Sequence, residues 1–329
     1  MQPSVRTLNL FLAGAIVASL IAFLFIGEVT LGPSSWLDAI VHPSSISAQI
    51  VWGIRAPRNF TAALVGAMLG LSGALMQGLL RNPLAEPTTL GVSAGAGLAA
   101  AMVIVMGLGL TPFVVEGAAM LGAAVIAVVL MLFIRRFPQR QSLILLGVGI
   151  TSLCGALMAL VFNLAPSPIA VQEILNWSQG SIEARDWNDV FFCAFALVVV
   201  GTISLGLGKG LRFLTLGDET ARSMGVNLTT LTQIIVLGAS ILAGVSVAVV
   251  GIIGFVGLAA PHFVRAMGIK DPYTLLAPSA LTGAVMVLLA DGITRVLPGD
   301  VHVGVLTALI GAPLFAVLAY RSARSWMQD

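Results

Sequence analysis

Long runs of apolar residues, with the charged residues confined to the segments between them, constrain this chain more than any other feature. Charged residues make up 9% and apolar residues 58% of the 329 positions, and the mean hydropathy is +1.03. A soluble chain of this length could not bury so much apolar surface. Repeated apolar runs of about 18 or more residues instead predict helices that cross a membrane. The sequence therefore predicts an all-α, polytopic membrane protein.

Windows of about 20 apolar residues predict ten transmembrane helices. These spans cover residues 8–27, 59–80, 91–109, 112–134, 142–165, 188–208, 229–250, 252–267, 274–293 and 303–320. The seventh and eighth spans are ambiguous, because residues 231–265 form one apolar stretch that is too long for one crossing and short for two. Glycines in this stretch offer a place to turn, at Gly251, Gly254 and Gly257.

The basic residues decide between nine and ten spans, because the loops on the cytoplasmic side carry most Lys and Arg. With ten spans and a cytoplasmic N-terminus, all but four of the 16 basic residues face the cytoplasm, the exceptions being Arg55, Arg58, Arg185 and Arg295. One span fewer would move Arg265 and Lys270 outside. We therefore expect ten spans, two cytoplasmic termini and a single membrane domain over residues 1–329. The first run should be a retained span, since no cleavage signal follows it.

Two outer segments, residues 28–52 and 166–187, are long enough to carry structure, and residues 171–177 of the second are amphipathic. The one long inner connection, residues 209–230, contains signals for a short helix. Its acidic residues Asp218 and Glu219 suit a helix N-terminus. Asp218 can pair with Arg222 one turn later, and Gly225 suits the left-handed position after the last turn. A helix this short is marginal alone, so it should pack against a partner.

Ionisable residues within the spans, which ion-coupled transporters and channels normally need, are nearly missing. Asp291 is the main exception, and Arg295 one turn later predicts an ion pair on the helix surface near the outer end. The three histidines are scattered without an HExxH motif, and Cys154 and Cys193 have no partner spacing. We therefore predict no catalytic site, metal site or resident cofactor. A net charge of +2 gives no indication of a nucleic-acid partner.

Several motifs along residues 50–318 together resemble the FecCD family, the permease subunits of type II ABC importers that take up ferric siderophores, haem and cobalamin. The matching segments, in family order, are Arg55-Ala56-Pro57-Arg58, Gln77, Arg81 to Pro87 (RNPLAEP), Leu90-Gly91-Val92, Leu216 to Val226, Gly254 to Leu258 with Pro261, His262 and Arg265, and Gly304 to Ala308 with Gly311 to Phe315. A single motif of this kind would be weak, but the ordered set is specific.

The resemblance implies a fold of ten transmembrane helices per subunit with an inverted repeat, in which spans two to five match spans seven to ten. It implies a dimer with a second copy of the chain or a close paralogue, in the bacterial inner membrane and in contact with its lipid. It also implies two cytoplasmic ATPase subunits, which bind the ATP and magnesium, and a periplasmic or lipid-anchored substrate-binding protein. The permease itself would not be an enzyme.

The resemblance also assigns roles to three groups of residues by position. The ATPase coupling helix would comprise Leu216, Gly217, Asp218, Glu219, Ala221, Arg222 and Gly225. The cytoplasmic gate would comprise Asn82, Leu84, Gln141 and Ser142. The stretch Gln139-Arg140-Gln141-Ser142 departs from the cobalamin-type pattern of small hydroxyl residues. The binding protein would dock on Arg55, Arg58 and Arg295, for which the alternative role is to anchor helix ends.

The expected function is therefore the permease of an ATP-driven importer for an iron chelate, with a ferric siderophore as the first expectation and haem or cobalamin as alternatives. Two different classes remain as rivals. An ion-coupled secondary transporter would lose uptake when the proton gradient collapses. An intramembrane enzyme would need a buried carboxylate pair or an HExxH motif, and the sequence has neither.

Overall fold

The computed structural model describes residues 4–27, 29–109, 111, 113–137 and 140–313, and its regular elements over these ranges are helices. In chain order they are α1 (Val5–Phe25), α2 (Pro33–Val41), α3 (Ile46–Leu80), α4 (Val92–Leu108), α5 (Val114–Arg136), α6 (Arg140–Leu164), α7 (Pro168–Ser178), α8 (Trp187–Leu205), α9 (Gly208–Thr215), α10 (Asp218–Ser223), α11 (Leu228–Val250), α12 (Val256–Ala266), α13 (Leu276–Thr294) and α14 (Val303–Pro313). The all-α prediction is confirmed.

Within the described ranges, seven helices are long and apolar enough to cross a membrane: α1, α3, α5, α6, α8, α11 and α13. The other three predicted spans coincide with the shorter helices α4, α12 and α14, and residues 314–320 of the tenth span lie outside the described part. With 11 residues, α12 is about 17 Å long, roughly half of a ~30 Å hydrocarbon core. The number of crossings therefore stays a prediction.

Helix α3 is the central element, and it packs against α1, α8, α11, α12 and α13. Two of these contacts are close because glycines face each other, Gly66 against Gly283 of α13 and Gly73 against Gly257 of α12. A Cβ atom at Gly66, Gly73 or Gly283 would overlap a backbone carbonyl of the facing helix. Small residues of this kind let helix backbones approach within a membrane, where lipid provides little hydrophobic driving force for association.

The predicted start of α3 at residue 59 is wrong, because the helix begins at Ile46 and runs for 35 residues. Its section on the predicted outer side, Gln49–Arg55, is a π-helix. Polar residues such as Gln49 and Arg58 hide this extension from a search for apolar runs. The two outer segments do carry structure, as predicted, since α2 lies in the first and the amphipathic stretch of the second forms α7.

The chain leaves the helical conformation between α11 and α12. Gly251 has φ +74°, which ends α11, and Phe255 has φ +66° immediately before α12. The predicted turn at Gly251 is confirmed, whereas Gly257 lies within α12. The segment after α7 covers this break, because the Ser181 N–H donates to the Val250 carbonyl at 2.8 Å. Residues 251–255 therefore form a non-helical segment packed beneath the end of α7.

We expect Gly66→Ala to destabilise the fold, because the new methyl group would force α3 and α13 apart. Overpacking of this kind costs about 1–3 kcal/mol. The measurement is the thermal unfolding midpoint of the purified chain in detergent. Gly201→Ala in α8 is the matched control, since a Cβ atom there meets nothing within 4 Å. Equal midpoints for the two variants would contradict the close packing described for α3.

Candidate functional site

A buried ion cluster joins α3 and α13 at the ends that the predicted topology places on the outer side. The Asp291 side chain is 0% exposed and accepts hydrogen bonds from Arg58 Nε at 2.9 Å and Arg295 Nε at 3.0 Å. The predicted position of the Asp291–Arg295 pair on the helix surface is wrong. The pair is buried because α1 packs on this side of α13, and Arg295 is only 4% exposed. A second arginine from another helix completes the cluster.

Arg295 and a third arginine, Arg55, hold the C-terminal end of α1. Arg295 Nη1 donates to the Phe23 carbonyl at 2.8 Å, and Arg55 Nη1 donates to the Leu24 carbonyl at 2.7 Å. Asn59 joins these contacts, since its Oδ1 accepts from Arg295 Nη2 at 2.6 Å and its Nδ2 donates to the Leu20 carbonyl of α1 at 3.1 Å. The last carbonyls of a helix have no partner within the helix, and a cation is favourable at that negative end. These contacts therefore cap α1 and attach it to α3 and α13.

The three predicted docking arginines differ in accessibility. Arg55 is 5% exposed and donates to the carbonyls of Leu24, at the end of α1, and Val29, in the segment that follows, and Arg295 is similarly buried. Arg58 keeps 18% of its side chain exposed, and its Nη2 lies 3.8 Å from the exposed Glu183. All three line an outer cavity of about 450 Å³, together with Asp300 and other residues. The structure thus shows that these arginines anchor helix ends. Docking of a binding protein on them stays a prediction, and Arg58 is the most accessible of the three.

The predicted coupling segment contains the short helix α10, flanked by Gly217 at φ +106° and Gly225 at φ +84°. The Val226 N–H donates to the Ala221 carbonyl at 3.0 Å, a hydrogen bond typical of a helix that ends on a left-handed glycine. Ala221 is buried, whereas Glu219 and Arg222 are exposed. The flanking apolar side chains of Leu216 and Met224 are also exposed. The helix and its glycine terminus are confirmed, and its role in coupling stays a prediction.

Two ion pairs attach this inner segment to the rest of the molecule. Asp218 of α10 pairs with Arg81 at the end of α3, with Nη2 and Oδ1 3.1 Å apart. Arg212 of α9 pairs with Asp271 in the connection between α12 and α13, through Nε at 3.0 Å and Nη2 at 3.1 Å. Burial alone raises the pKa of Asp271, but hydrogen bonds from Arg212 and Thr274 outweigh it and hold that pKa below its ordinary value.

The predicted gate residues Asn82 and Leu84 share a tight turn that begins where α3 ends. The Leu84 N–H donates to Asn82 Oδ1 at 2.9 Å, and the Leu84 side chain is exposed. Ser142 lies half-buried in the first turns of α6. The side chain of Gln141 lies outside the described residues. The structure therefore defines the Asn82–Leu84 turn, whereas the gate as a whole stays a prediction.

A polar network behind this turn joins α3 to α12. Gln77 Nε2 donates to the Gly257 carbonyl at 3.2 Å, and Gln77 Oε1 accepts from Arg265. Nearby, the Thr88 hydroxyl donates to the Glu86 carboxylate, which lies against Gly257. Burial raises the pKa of Glu86, although the Thr88 hydrogen bond opposes the shift. The inner ends of the two helices are thus held by side chains whose partners the sequence did not indicate.

A cavity of about 600 Å³ lies beside the broken segment between α11 and α12. Its walls come from the end of α7, from the break itself and from α14, and comprise Ser178, Gln179, Ile252, Gly254, Gly304, Val305, Ala308, Leu309, Ala312 and Pro313. Non-helical backbone at membrane depth is tolerated where it is buried in protein or lines a water-filled cavity. This geometry makes the cavity the candidate translocation path, and no local pattern in the sequence indicates it.

No group of three or more His, Cys, Asp or Glu side chains is placed to hold a metal ion in the part of the chain that the structure describes. Cys154 and Cys193 are both buried and free.

We expect Asp291→Ala to be strongly destabilising, because it leaves Arg58 and Arg295 without their shared carboxylate. Removing one partner of a buried ion pair costs about 3–5 kcal/mol. The control is Glu183→Ala, since Glu183 is the exposed acidic neighbour of Arg58, and an exposed substitution changes stability by only about 0.5 kcal/mol. Thermal unfolding midpoints in detergent compare the two. A midpoint for Asp291→Ala within error of the Glu183→Ala value would show that the cluster carries no stability.

Comparison with known proteins gives a consistent result over nearly the whole chain. The FecCD transport family matches residues 14–321. A vitamin B12 import system permease protein BtuC of Yersinia enterocolitica is 36% identical over 320 residues, which cover 95% of this chain and 93% of that protein. The vitamin B12 import system permease protein BtuC of Salmonella typhi is 38% identical over 301 residues, covering 91% and 90%.

Solved structures show the same likeness. An inward-facing ABC transporter assigned to the metal-chelate type superposes with a TM-score of 0.84 at 30% identity, covering 96% of this chain and 99% of that chain. PsaBC from Streptococcus pneumoniae in complex with Fab has a TM-score of 0.56 at 18% identity, over 79% and 88% of the two chains, and shares the fold alone. The chain therefore belongs to the FecCD transport family, as a membrane-embedded permease subunit of an ABC importer whose ATP hydrolysis is supplied by a separate subunit.

Proposed function

We propose that this chain and a second copy or close paralogue form the path by which a bulky metal chelate crosses the bacterial inner membrane. The observation that carries the proposal is the cavity of about 600 Å³ beside the broken segment. Its walls are mostly apolar side chains and glycines, with Ser178 and Gln179 as the polar exceptions. Such a surface suits a large solute that is passed through without tight binding. The other exposed apolar helix faces would contact lipid or the second subunit.

We further propose ten crossings with both termini in the cytoplasm, in which α4, α12 and α14 complete the seven longer spans. Support for the inverted repeat comes from the two short helices α4 and α12, which hold equivalent places in the two halves. Each begins after a residue with positive φ, Gly91 at +82° and Phe255 at +66°. Interrupted helices at matching positions of two halves are typical of transporters built from inverted repeats.

The proposed partners follow from the two ends of the molecule. On the inner side, one ATPase subunit would dock on the α10 of each permease chain, through the exposed Leu216 and Met224. The two ATPase subunits would hold the ATP and magnesium. On the outer side, a periplasmic or lipid-anchored binding protein would contact Arg58 at the rim of the outer cavity. Arg55 and Arg295 would support Arg58 by fixing the helix ends beneath it. No cofactor is proposed for the permease itself.

For the substrate, the comparisons favour cobalamin over the ferric siderophore expected from the sequence. The relatives at 36% and 38% identity are both vitamin B12 import permeases. One observation supports a ferric siderophore as the second candidate. The stretch Gln139-Arg140-Gln141-Ser142 departs from the cobalamin-type gate, although residues 138 and 139 and the side chains of the next two lie outside the described residues.

Uptake by proteoliposomes that contain this chain, its ATPase and its binding protein tests the proposal. Radiolabelled cyanocobalamin and a radioiron-loaded siderophore are supplied in parallel, with ATP inside or omitted. We expect ATP-dependent uptake of cyanocobalamin that a protonophore does not reduce. Uptake of the ferric siderophore alone would replace the first candidate by the second. Uptake that needs no ATP but collapses with the proton gradient would contradict the function in either form.

We expect Gly225→Val to impair coupling, because a left-handed backbone costs an L-residue about 1–2 kcal/mol and is worse for a β-branched side chain. No steric clash contributes, since a Cβ atom at Gly225 meets nothing within 4 Å. Gly225→Asn is the matched control, because asparagine tolerates this conformation. Co-purification of the ATPase and ATP-driven uptake should fall for the valine variant and stay near the parent for the asparagine variant. Normal values for valine would remove the proposed role of the α10 terminus.

A further inference from the structure

We infer that the ion pair between Arg81 and Asp218 transmits movement of α10 to the Asn82–Leu84 turn. The inference rests on the proposed function, because it takes α10 as the helix that the ATPase moves and the Asn82–Leu84 turn as part of the predicted cytoplasmic gate. It makes Arg81 a positioning residue for transport. The two residues are 137 positions apart in sequence, so no local sequence pattern indicates the pair.

On the side of α10, the pair attaches at the start of the helix. Asp218 is its first residue, and its Oδ1 lies 3.1 Å from Arg81 Nη2. Ala221 is buried, and its N–H and C=O bond to the Gly217 carbonyl and the Val226 N–H at the two ends, so α10 is a compact unit. A displacement imposed on its exposed face is therefore carried to Asp218.

On the side of the gate, the pair attaches directly next to the turn. Arg81 ends α3 with φ +49° and ψ +35°, a left-handed conformation that is uncommon for a residue other than glycine. Asn82 follows immediately, and its Oδ1 holds the Leu84 N–H. Only the turn itself separates the ion pair from the exposed Leu84 side chain. A movement of the Arg81 side chain thus acts on the residue immediately before the gate turn.

The second inner ion pair provides the contrast that makes the inference testable. Arg212 and Asp271 have the same charges and a two-pronged geometry. They attach α9 to the connection between α12 and α13, and neither belongs to the gate turn or to α10. Arg212–Asp271 therefore serves as a matched control pair at the same membrane face. A change in its charges should leave the Arg81–Asp218 link between α10 and the gate turn intact.

The strength of the link is limited by solvent, since the side chains of Arg81 and Asp218 are 42% and 38% exposed. An ion pair this exposed shifts an equilibrium by only about two- to fivefold. A contact can bias two conformations only by its differential free energy between them. The ion pair is therefore expected to shift the conformational equilibrium of the turn when α10 moves. Breaking the pair should partly uncouple transport from ATP hydrolysis, which continues.

The test uses the assembled complex in proteoliposomes, with Leu84→Cys as a reporter in a chain carrying Cys154→Ala and Cys193→Ala. The measured quantity is the ratio of thiol labelling rates at this reporter with and without ATP and magnesium. We expect Arg81→Asp and Asp218→Arg each to reduce the nucleotide-dependent change by about two- to fivefold. The double swap should recover most of it, because the opposite charges then face each other again. The swap of Arg212 with Asp271 should leave the ratio unchanged.

Wild-type ratios in both single variants would overturn the inference, and so would a double swap that performs no better than the singles. If charge reversal prevents assembly, the neutral variants Arg81→Gln and Asp218→Asn give the same comparison with smaller expected changes. Failure of the proposed function has a different signature. In that case the parent complex itself would not assemble with an ATPase, or its reporter labelling would not respond to nucleotide, and both proposals would fall.

Discussion

The need to satisfy backbone hydrogen bonds in lipid is the constraint on which this structure depends. In a hydrocarbon environment, N–H and C=O groups without partners cost several kcal/mol each. The long spans meet this constraint as helices. Between Val250 and Val256 the chain is not helical, and the loop after α7 supplies Ser181 as a donor to the last carbonyl of α11. Such a break persists only where protein or water surrounds it. The adjacent cavity is therefore a place where water can reach the chain.

A second constraint explains the unusual arginines at the outer face. Arg55 and Arg295 donate to carbonyls at the end of α1, and Asp291 balances Arg58 and Arg295 within the protein. Helix α1 has few buried side chains of its own, so these polar contacts are a main connection between it and the core. Selection for docking is thus not the only reason for arginines in this position. The cluster also leaves Arg58 as the member that reaches the surface.

Local signals in the sequence predicted much of this arrangement. Hydropathy predicted the helical spans, Gly251 predicted the break, and the acidic start and glycine end of α10 predicted a short helix where one occurs. The outer extension of α3 was not predictable from hydropathy, because Gln49, Arg55 and Arg58 interrupt the apolar pattern. Pairings such as Arg58–Asp291, 233 residues apart, have no local signal. Asn59, next to Arg58 at the start of the second predicted span, was the nearest hint of the buried cluster.

The assignment of the cavity beside the broken segment as the translocation path is the central claim, and water access to Ala308 tests it most directly. The measurement is the labelling of Ala308→Cys by a membrane-impermeant thiol reagent in the assembled complex, in a chain with both native cysteines replaced by alanine. Val198→Cys on the exposed face of α8 is the comparison. The account predicts that Ala308→Cys reacts, that substrate-loaded binding protein with ATP alters its rate, and that Val198→Cys does not react. Labelling of neither position, or a rate at Ala308 that substrate and ATP leave unchanged, would contradict the account.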